Sequence, residues 1–279
     1  MIADLALRPE AQRVVDDYAK DDHDRPCAIF IKTDVTDWKQ LSHMFEVAHK
    51  SFGDIDIVCP GAGVFEPPFS SFWLPPGSSE SRDDPNGGRY ATMDINVTHP
   101  IRTTQLAIAY FMSGKGKTRA SHATPKRIVH ISSIAGELAA LGTPMYIASK
   151  HAVRAFIYSL ATLESNLGIR VNGVAPGIIK TPLWTDHPEK LRSLTEDAET
   201  WVMPEEVAEV MLAMVEKEQY PGGTVLEVGR GHRREIPLLN NAGPPFAKAG
   251  LRADQFSDTS SEIYKAVGED SWGCAPFTF

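Results

Sequence analysis

Tyr146 and Lys150 stand four residues apart in the stretch TPMYIASK. On a helix that spacing puts both side chains on one face, about a turn from each other. A free phenol ionises near pH ~10, and a neighbouring ammonium favours the phenolate. The pair can therefore serve as a proton-transfer centre. The same two residues could equally be a half-buried Tyr beside a solvated Lys. Ser133 lies 13 residues before Tyr146, at the C-terminal end of the strand-like run RIVHISS. That is the edge of an open parallel sheet where ligands bind, and a hydroxyl there can hydrogen-bond an oxygen whose charge changes. Asn96 falls inside a helical pattern, where an amide is mediocre for stability and often simply solvated. Its functional reading is to hold water and orient Lys150.

Short apolar runs alternate along the chain with longer helical patterns. CAIFIKTDV, DIDIVCPG, RIVHISS, IRVNGVAPG and TVLEVG read as buried strands, each closed by Gly, Pro, Ser or Asp or by a β-branched residue beside them. Between them lie segments of helix length, and the alternation predicts a parallel sheet covered by helices on both faces. The helix carrying Tyr146 is the best delimited: Thr143 is placed to cap it, Pro144 suits its first turn, and Gly168 suits the left-handed residue that ends it. Two stretches break the pattern. Residues 65–89, rich in Pro, Gly, Ser and Asp, read as a long loop, either a surface insertion or a wall of a substrate pocket. Residues 230–279 read as an irregular C-terminal extension to a domain of residues 1–229.

Bulk properties exclude several functions. A 279-residue chain with 42% hydrophobic and 23% charged residues suits one sizeable core, and no apolar run approaches the roughly 20 residues of a membrane helix. The net charge of -8 opposes binding to a phosphate backbone, so nucleic acid is not an expected partner. Cys27, Cys59 and Cys274 are scattered, which gives neither a disulfide framework nor metal-ligand spacing and fits a reducing, cytoplasmic setting. His130 and His151 read as packing or solvated side chains, and the basic cluster Arg230, His232, Arg233 and Arg234 as a solvated loop. The string Asn240-Asn241-Ala242-Gly243 lies past the last strand and reads as a turn.

Taken together, these residues resemble the short-chain dehydrogenase/reductase family. The resemblance runs from Met1 to about Gly229 and rests on Asp34-Val35, Pro60-Gly61-Ala62-Gly63, Asn96, Ser133, Tyr146-x-x-x-Lys150, and Pro176-Gly177 followed by Thr181. It implies a Rossmann-like, three-layer, doubly wound α/β fold and an NAD(P)-dependent exchange between a secondary alcohol and a ketone. By resemblance, Tyr146 is the acid/base, Lys150 lowers its pKa and binds the nicotinamide ribose, Ser133 steadies the substrate oxygen and Asn96 completes a proton relay. Asp34 and Val35 then contact the adenine, Gly61, Ala62 and Gly63 line the cofactor, and Pro176, Gly177, Ile179 and Thr181 flank its carboxamide end. Family members commonly show Asn-Asn-Ala-Gly where this chain has Pro60-Gly61-Ala62-Gly63, so two sheet-bracing amides are missing. Many pair subunits through the helices carrying Asn96 and Tyr146, which implies a homodimer or homotetramer. No metal is required by this chemistry.

The opening residues Met1-Ile2-Ala3-Asp4 look like the second half of a strand. The resemblance places Asp4 as the acidic residue on the adenosine ribose, which favours NAD while leaving NADP possible. It also implies a first strand, a glycine-rich turn and a first helix ahead of this segment. On that expectation the fold is N-terminally truncated, binds dinucleotide poorly and folds badly, and a non-catalytic relic acting as a binding partner is the alternative function. GGTVLEVGRGHRRE and DIVCPGAGVFEP resemble a fungal branch near the prostaglandin-dehydrogenase-like enzymes, which suggests a bulky apolar or aromatic substrate such as a secondary metabolite. Phe65, Phe72, Trp73, Met145 and Trp184 are the candidate pocket walls.

Overall fold

In the computed structural model the parallel strands are divided between two sheets, and the division decides which candidate residues share a site. The structure describes residues 1–19, 26–113, 118–185, 201–238, 253–269 and 272. β1 (Ile2–Asp4) pairs in parallel with β2 (Phe30–Lys32) to form a two-stranded sheet. β3 (Ile57–Val58), β4 (Lys126–Ile131), β5 (Ile169–Pro176), β6 (Val225–Gly229) and β7 (His232–Glu235) form a five-stranded sheet in that order. Its first four strands are parallel and β7 is an antiparallel edge. The expected α/β architecture is present, a central, mostly parallel sheet clad in helices, but as two sheets rather than one.

β4 and β5 anchor the molecule. Their register runs unbroken from Lys126 opposite Ile169 to Ile131 opposite Val174. All eight residues of β5 are buried, as a strand covered on both faces must be. One core layer joins Phe111, Leu106, Leu41 and Phe45 to Ile128 and Val171, drawing in α2 (Trp38–Phe52) and α4 (His99–Met112) but no residue of α1 (Pro9–Asp17) or of the single turn α3 (Ala91–Met93). On the other face Val174, Val228 and Val129 pack against Val207, Val210 and Met214 of the helix Pro204–Glu216. α2 begins at Asp37, whose carboxylate accepts the N–H groups of Lys39 and Gln40, and it ends at Gly53 with φ +80°.

Several local expectations need correction. The helix predicted to run to Gly168 stops earlier: α5 covers Pro144–Ser159, and a separate short helix, Leu163–Leu167, ends at Gly168 with φ +71°. Gly168 cannot carry a side chain, because an added Cβ would lie 2.3 Å from the Ser121 carbonyl oxygen. Thr143 occupies the cap position of α5 but makes no side-chain cap hydrogen bond. The segment after Gly229 is not irregular throughout. It contains β7 and a helix, Ala253–Gly268, whose Val267 is buried in the core beside Phe111. Three members of the basic cluster, His232, Arg233 and Arg234, are part of that strand, with Arg234 paired to Glu227 and Glu137 and Arg233 to Glu209. Asn240 to Gly243 and Cys274 lie outside the described residues.

Candidate functional site

The C-terminal ends of β4 and β5 carry the chain out of the sheet into Ser133 and into Pro176-Gly177, and α5 lies across them. Between these elements and residues 61–65 is a cavity of about 290 Å³. Ser133, Tyr146 and Lys150 line it together with Gly61, Gly63, Pro176, Gly177, Ile179 and Thr181. Most of the remaining wall is apolar: Phe65, Leu138, Ile147, Ile178, Leu183 and Trp184. The Phe65 ring meets Tyr146 edge-on at 4.6 Å between centroids and Trp184 at 5.0 Å. Of the five predicted wall residues, Phe65 and Trp184 line the cavity, Phe72 and Trp73 are exposed outside it, and Met145 is buried in α5.

Tyr146 and Lys150 do share one face of α5, with the ammonium nitrogen 5.6 Å from the Tyr146 ring centroid. The expected electrostatics differ. Burial pushes the Tyr146 phenol up from its ordinary value, and the opposing influence is a hydrogen bond with the Ser133 side chain. Burial also pulls Lys150 down, to about 8, because removing water penalises the ammonium. The Lys150 ammonium donates to the Ile131 carbonyl at 3.0 Å, which fixes it at the end of β4. A lowered phenol pKa at Tyr146 is thus not a property of the protein by itself.

Asn96 is buried in a π-helical turn, Asp94–Thr98, inserted between Ala91–Met93 and α4. Such turns recur at functional sites because the extra residue redirects a side chain. The Asn96 side chain clasps Val64 from both sides, accepting its N–H at 2.8 Å and donating to its carbonyl at 2.9 Å. A further bond at 3.1 Å reaches the Ser149 hydroxyl, which in turn donates to the Tyr146 carbonyl. An added Cβ on Gly63 would sit 3.5 Å from Asn96 Oδ1 and 3.8 Å from Lys150 Nζ, so Gly63 passes directly between the two. Asn96 therefore fixes the loop at Gly63-Val64.

The other predicted residues gather elsewhere. Val35, Gly61 and Ala62 line a second cleft of about 280 Å³, shared with Met1 and Ala3 of the two-stranded sheet and with Ile57 and Cys59. Gly61 borders both cavities. Asp4 accepts the N–H of Leu5, and Asp34 holds its own turn through Thr36. Pro176, Gly177, Ile179 and Thr181 thus converge on the first cavity with Ser133, Tyr146 and Lys150, whereas Val35 and Ala62 line the second and Asp4 and Asp34 line neither. A dinucleotide fits the first group well: a glycine-lined, largely apolar pocket contains a buried cation and the hydroxyl-bearing residues Ser132, Ser133, Thr143, Tyr146 and Thr181.

Glu66 was not among the predicted residues. It is buried, and its carboxylate accepts the Tyr146 N–H at 2.9 Å and the Phe72 N–H at 3.0 Å. No motif announces this contact, because its partner is 80 residues away.

The family model for short chain dehydrogenases matches residues 5–192. The chain belongs to the short-chain dehydrogenase family, an oxidoreductase family. Among curated proteins it is 32% identical over 158 residues to rat 15-hydroxyprostaglandin dehydrogenase [NAD(+)], covering 56% of this chain and 50% of the relative. It is 31% identical over 175 residues to short-chain dehydrogenase/reductase prx6 of Penicillium rubens, covering 62% and 55%. It is 28% identical over 201 residues to the 3-oxoacyl-[acyl-carrier-protein] reductase FabG of Thermotoga maritima, covering 71% and 74%. The matches to the first two span about half of each relative's length. A crystal structure of a short chain dehydrogenase from Mycobacterium avium superposes with a TM-score of 0.65 at 19% identity, over 94% of this chain and 84% of that one, which supports the fold. Among the described residues no helix is long and apolar enough to cross a membrane, and no group of three His, Cys, Asp or Glu is placed to hold a metal ion.

Proposed function

We propose that the protein interconverts a secondary alcohol and a ketone with NAD, or alternatively NADP, on a bulky apolar or aromatic substrate. The observation that carries this reading is the convergence of Ser133, Tyr146 and Lys150 on one largely apolar cavity beside Gly61 and Gly63. The nicotinamide, when bound, accepts or supplies the hydride. Tyr146 exchanges the proton with the substrate oxygen, and Ser133 holds that oxygen by its hydroxyl. Lys150, fixed by Ile131, presents its ammonium to the nicotinamide ribose and supports the phenolate as it forms. Asn96 completes the relay by holding the backbone that separates it from Lys150. Pro176, Gly177, Ile179 and Thr181 border the carboxamide end, Gly61, Ala62 and Gly63 line the cofactor, and Asp34 and Val35 belong to the adenine end.

Substrate class follows from the wall. Phe65 and Trp184 form an aromatic corner against the Tyr146 ring, and Leu138, Ile147, Ile178 and Leu183 extend an apolar wall suited to a bulky apolar or aromatic group. The similarity to rat 15-hydroxyprostaglandin dehydrogenase is in keeping with an apolar substrate, and a fungal secondary metabolite is the example this reading takes. Asp4, at the end of β1, favours NAD by repelling a 2′-phosphate. A cytoplasmic homodimer or homotetramer is the setting that this reading takes, with residues 1–229 as the dehydrogenase domain and 230–279 as its extension.

One observation favours a second reading, a non-catalytic binding module: the adenosine-side residues stand on a sheet separate from the catalytic strands. NADH formation at 340 nm over a panel of secondary alcohols separates the two. Turnover with apolar alcohols that Tyr146→Phe abolishes supports the enzyme. Absence of turnover with every alcohol, in a folded protein, supports the binding module.

A further inference from the structure

We infer that Glu66 is a positioning residue for Tyr146, acting as a cap delivered to α5 from the 65–89 loop. This rests on the reading of Tyr146 as the proton-transfer group. The first turn of a helix leaves its N–H groups without intrahelical partners, and a side chain at the cap residue usually accepts one of them. In α5 the cap residue Thr143 accepts none, and Pro144 has no N–H to offer. The Tyr146 N–H is bound by Glu66 Oε2 at 2.9 Å. The reacting residue is thus held by its own backbone, through a group that also fixes the loop: Glu66 Oε1 accepts the Phe72 N–H at 3.0 Å and lies 3.5 Å from the Ser71 hydroxyl.

Two features argue that this contact is more than a convenient cap. Among the described residues Glu66 is the non-glycine residue with positive φ, +37°, a region that L residues enter at a cost. That backbone turn brings the carboxylate under α5 while the preceding residue, Phe65, lays its ring against the Tyr146 ring. A carboxylate at a helix N-terminus also complements the positive end of the helix dipole. The loop that forms the aromatic wall and the helix that carries the phenol therefore move as one unit. A substrate that displaces Phe65 acts on Tyr146 through Glu66 as well as through the ring contact.

The test uses the full chain and three variants, Glu66→Ala, Glu66→Gln and Tyr146→Phe, with two readouts. Amide hydrogen exchange reads the anchor without requiring turnover. In Glu66→Ala the Tyr146 amide should exchange at least about tenfold faster while β4 and β5 amides stay unchanged. Glu66→Gln keeps a single acceptor oxygen, so its loss should be intermediate. With the best alcohol of the panel and NAD, kcat should fall by about tenfold to a hundredfold, since a displacement of about 1 Å at the reacting atom costs that much, with KM moving less than about twofold. If Glu66→Ala does not fold, Glu66→Gln carries the decision. A Tyr146 amide within about twofold of the unsubstituted protein in a folded variant overturns the proposal, as does a loosened amide with unchanged kcat. If the unsubstituted protein turns over no alcohol, the functional reading fails, and the exchange result alone decides whether Glu66 holds Tyr146.

Discussion

β5 and β1 are both parallel strands, yet every residue of β5 is buried and none of β1 is. The helices beside them differ in the same way. α5 buries seven residues, among them Tyr146 and Lys150, whereas the helix Pro9–Asp17 buries none and leaves Val14 46% exposed. The proposed proton-transfer groups therefore sit in a packed, low-dielectric site, the setting that electrostatic catalysis requires. The residues proposed for the adenosine side, Asp4 and Asp34-Val35, lie in or just after a sheet of two short strands, and a two-stranded unit is marginally stable at best by itself.

The largest expected effects fall in the packed half. Tyr146→Phe should lower kcat by about 10²- to 10⁴-fold, the usual contribution of a positioned acid/base, with little change in thermal stability. Retention of more than a tenth of kcat would remove Tyr146 from the chemistry. Phe111, 1% exposed between α4 and the sheet, gives the stability counterpart. Phe111→Ala should cost about 3–5 kcal/mol in urea unfolding, against about 0.5 kcal/mol or less for Val14→Ala in the exposed helix. Equal losses at the two positions would mean that the helix Pro9–Asp17 is packed in solution and that the contrast drawn here is false.

The packed half was also the half that could be read from the sequence. The β5 run IRVNGVAP is apolar or small except for Arg170 and Asn172, which are buried through bonds to Glu164 and the Tyr220 carbonyl, and runs of that kind specify a strand covered on both faces. The spacing from Ser133 to Tyr146 to Lys150 survives folding because a strand end and a single helix supply all three. What could not be read depends on contacts distant in sequence. Thr143 has the residue type of a cap, but the acceptor that serves α5 comes from Glu66 in a Pro-rich loop. Lys150 is near Tyr146 in sequence, but whether it depresses the phenol depends on how much water remains, and burial dominates here. Arg230 to Arg234 looked like a solvated loop because ion pairs to Glu137, Glu209 and Glu227 leave no local pattern.

A smaller effect separates the halves by pH. Burial holds His99 at about 4 and His130 at about 3 in the folded protein, against about 6.5 in an unfolded chain. Both sit in the catalytic half, His99 near Lys150 and His130 against Thr104 and Phe156. Their folded pKa values lie below the unfolded one, so the unfolded chain binds more protons as pH falls below about 6.5. Their stabilising contribution is full above that pH and is lost progressively toward the folded values. Between pH 7 and 5 the loss should be on the order of 2 kcal/mol per histidine, read as a falling urea midpoint at constant slope. A midpoint independent of pH over that interval would show that water reaches both rings.

The smallest expected effect belongs to Asp4. Its carboxylate is exposed and accepts the N–H of Leu5, so it is held at the end of β1 by a bond within its own segment. Exposure weakens its field through solvent screening. Asp4→Ser should therefore shift the ratio of kcat/KM for NAD over NADP by no more than about tenfold, mostly by improving NADP. A shift of a hundredfold or more would require a carboxylate fixed and desolvated at the ribose. It would mean that β1 and β2 are ordered by the ligand and that the two halves, unlike in packing, become alike once the site is filled.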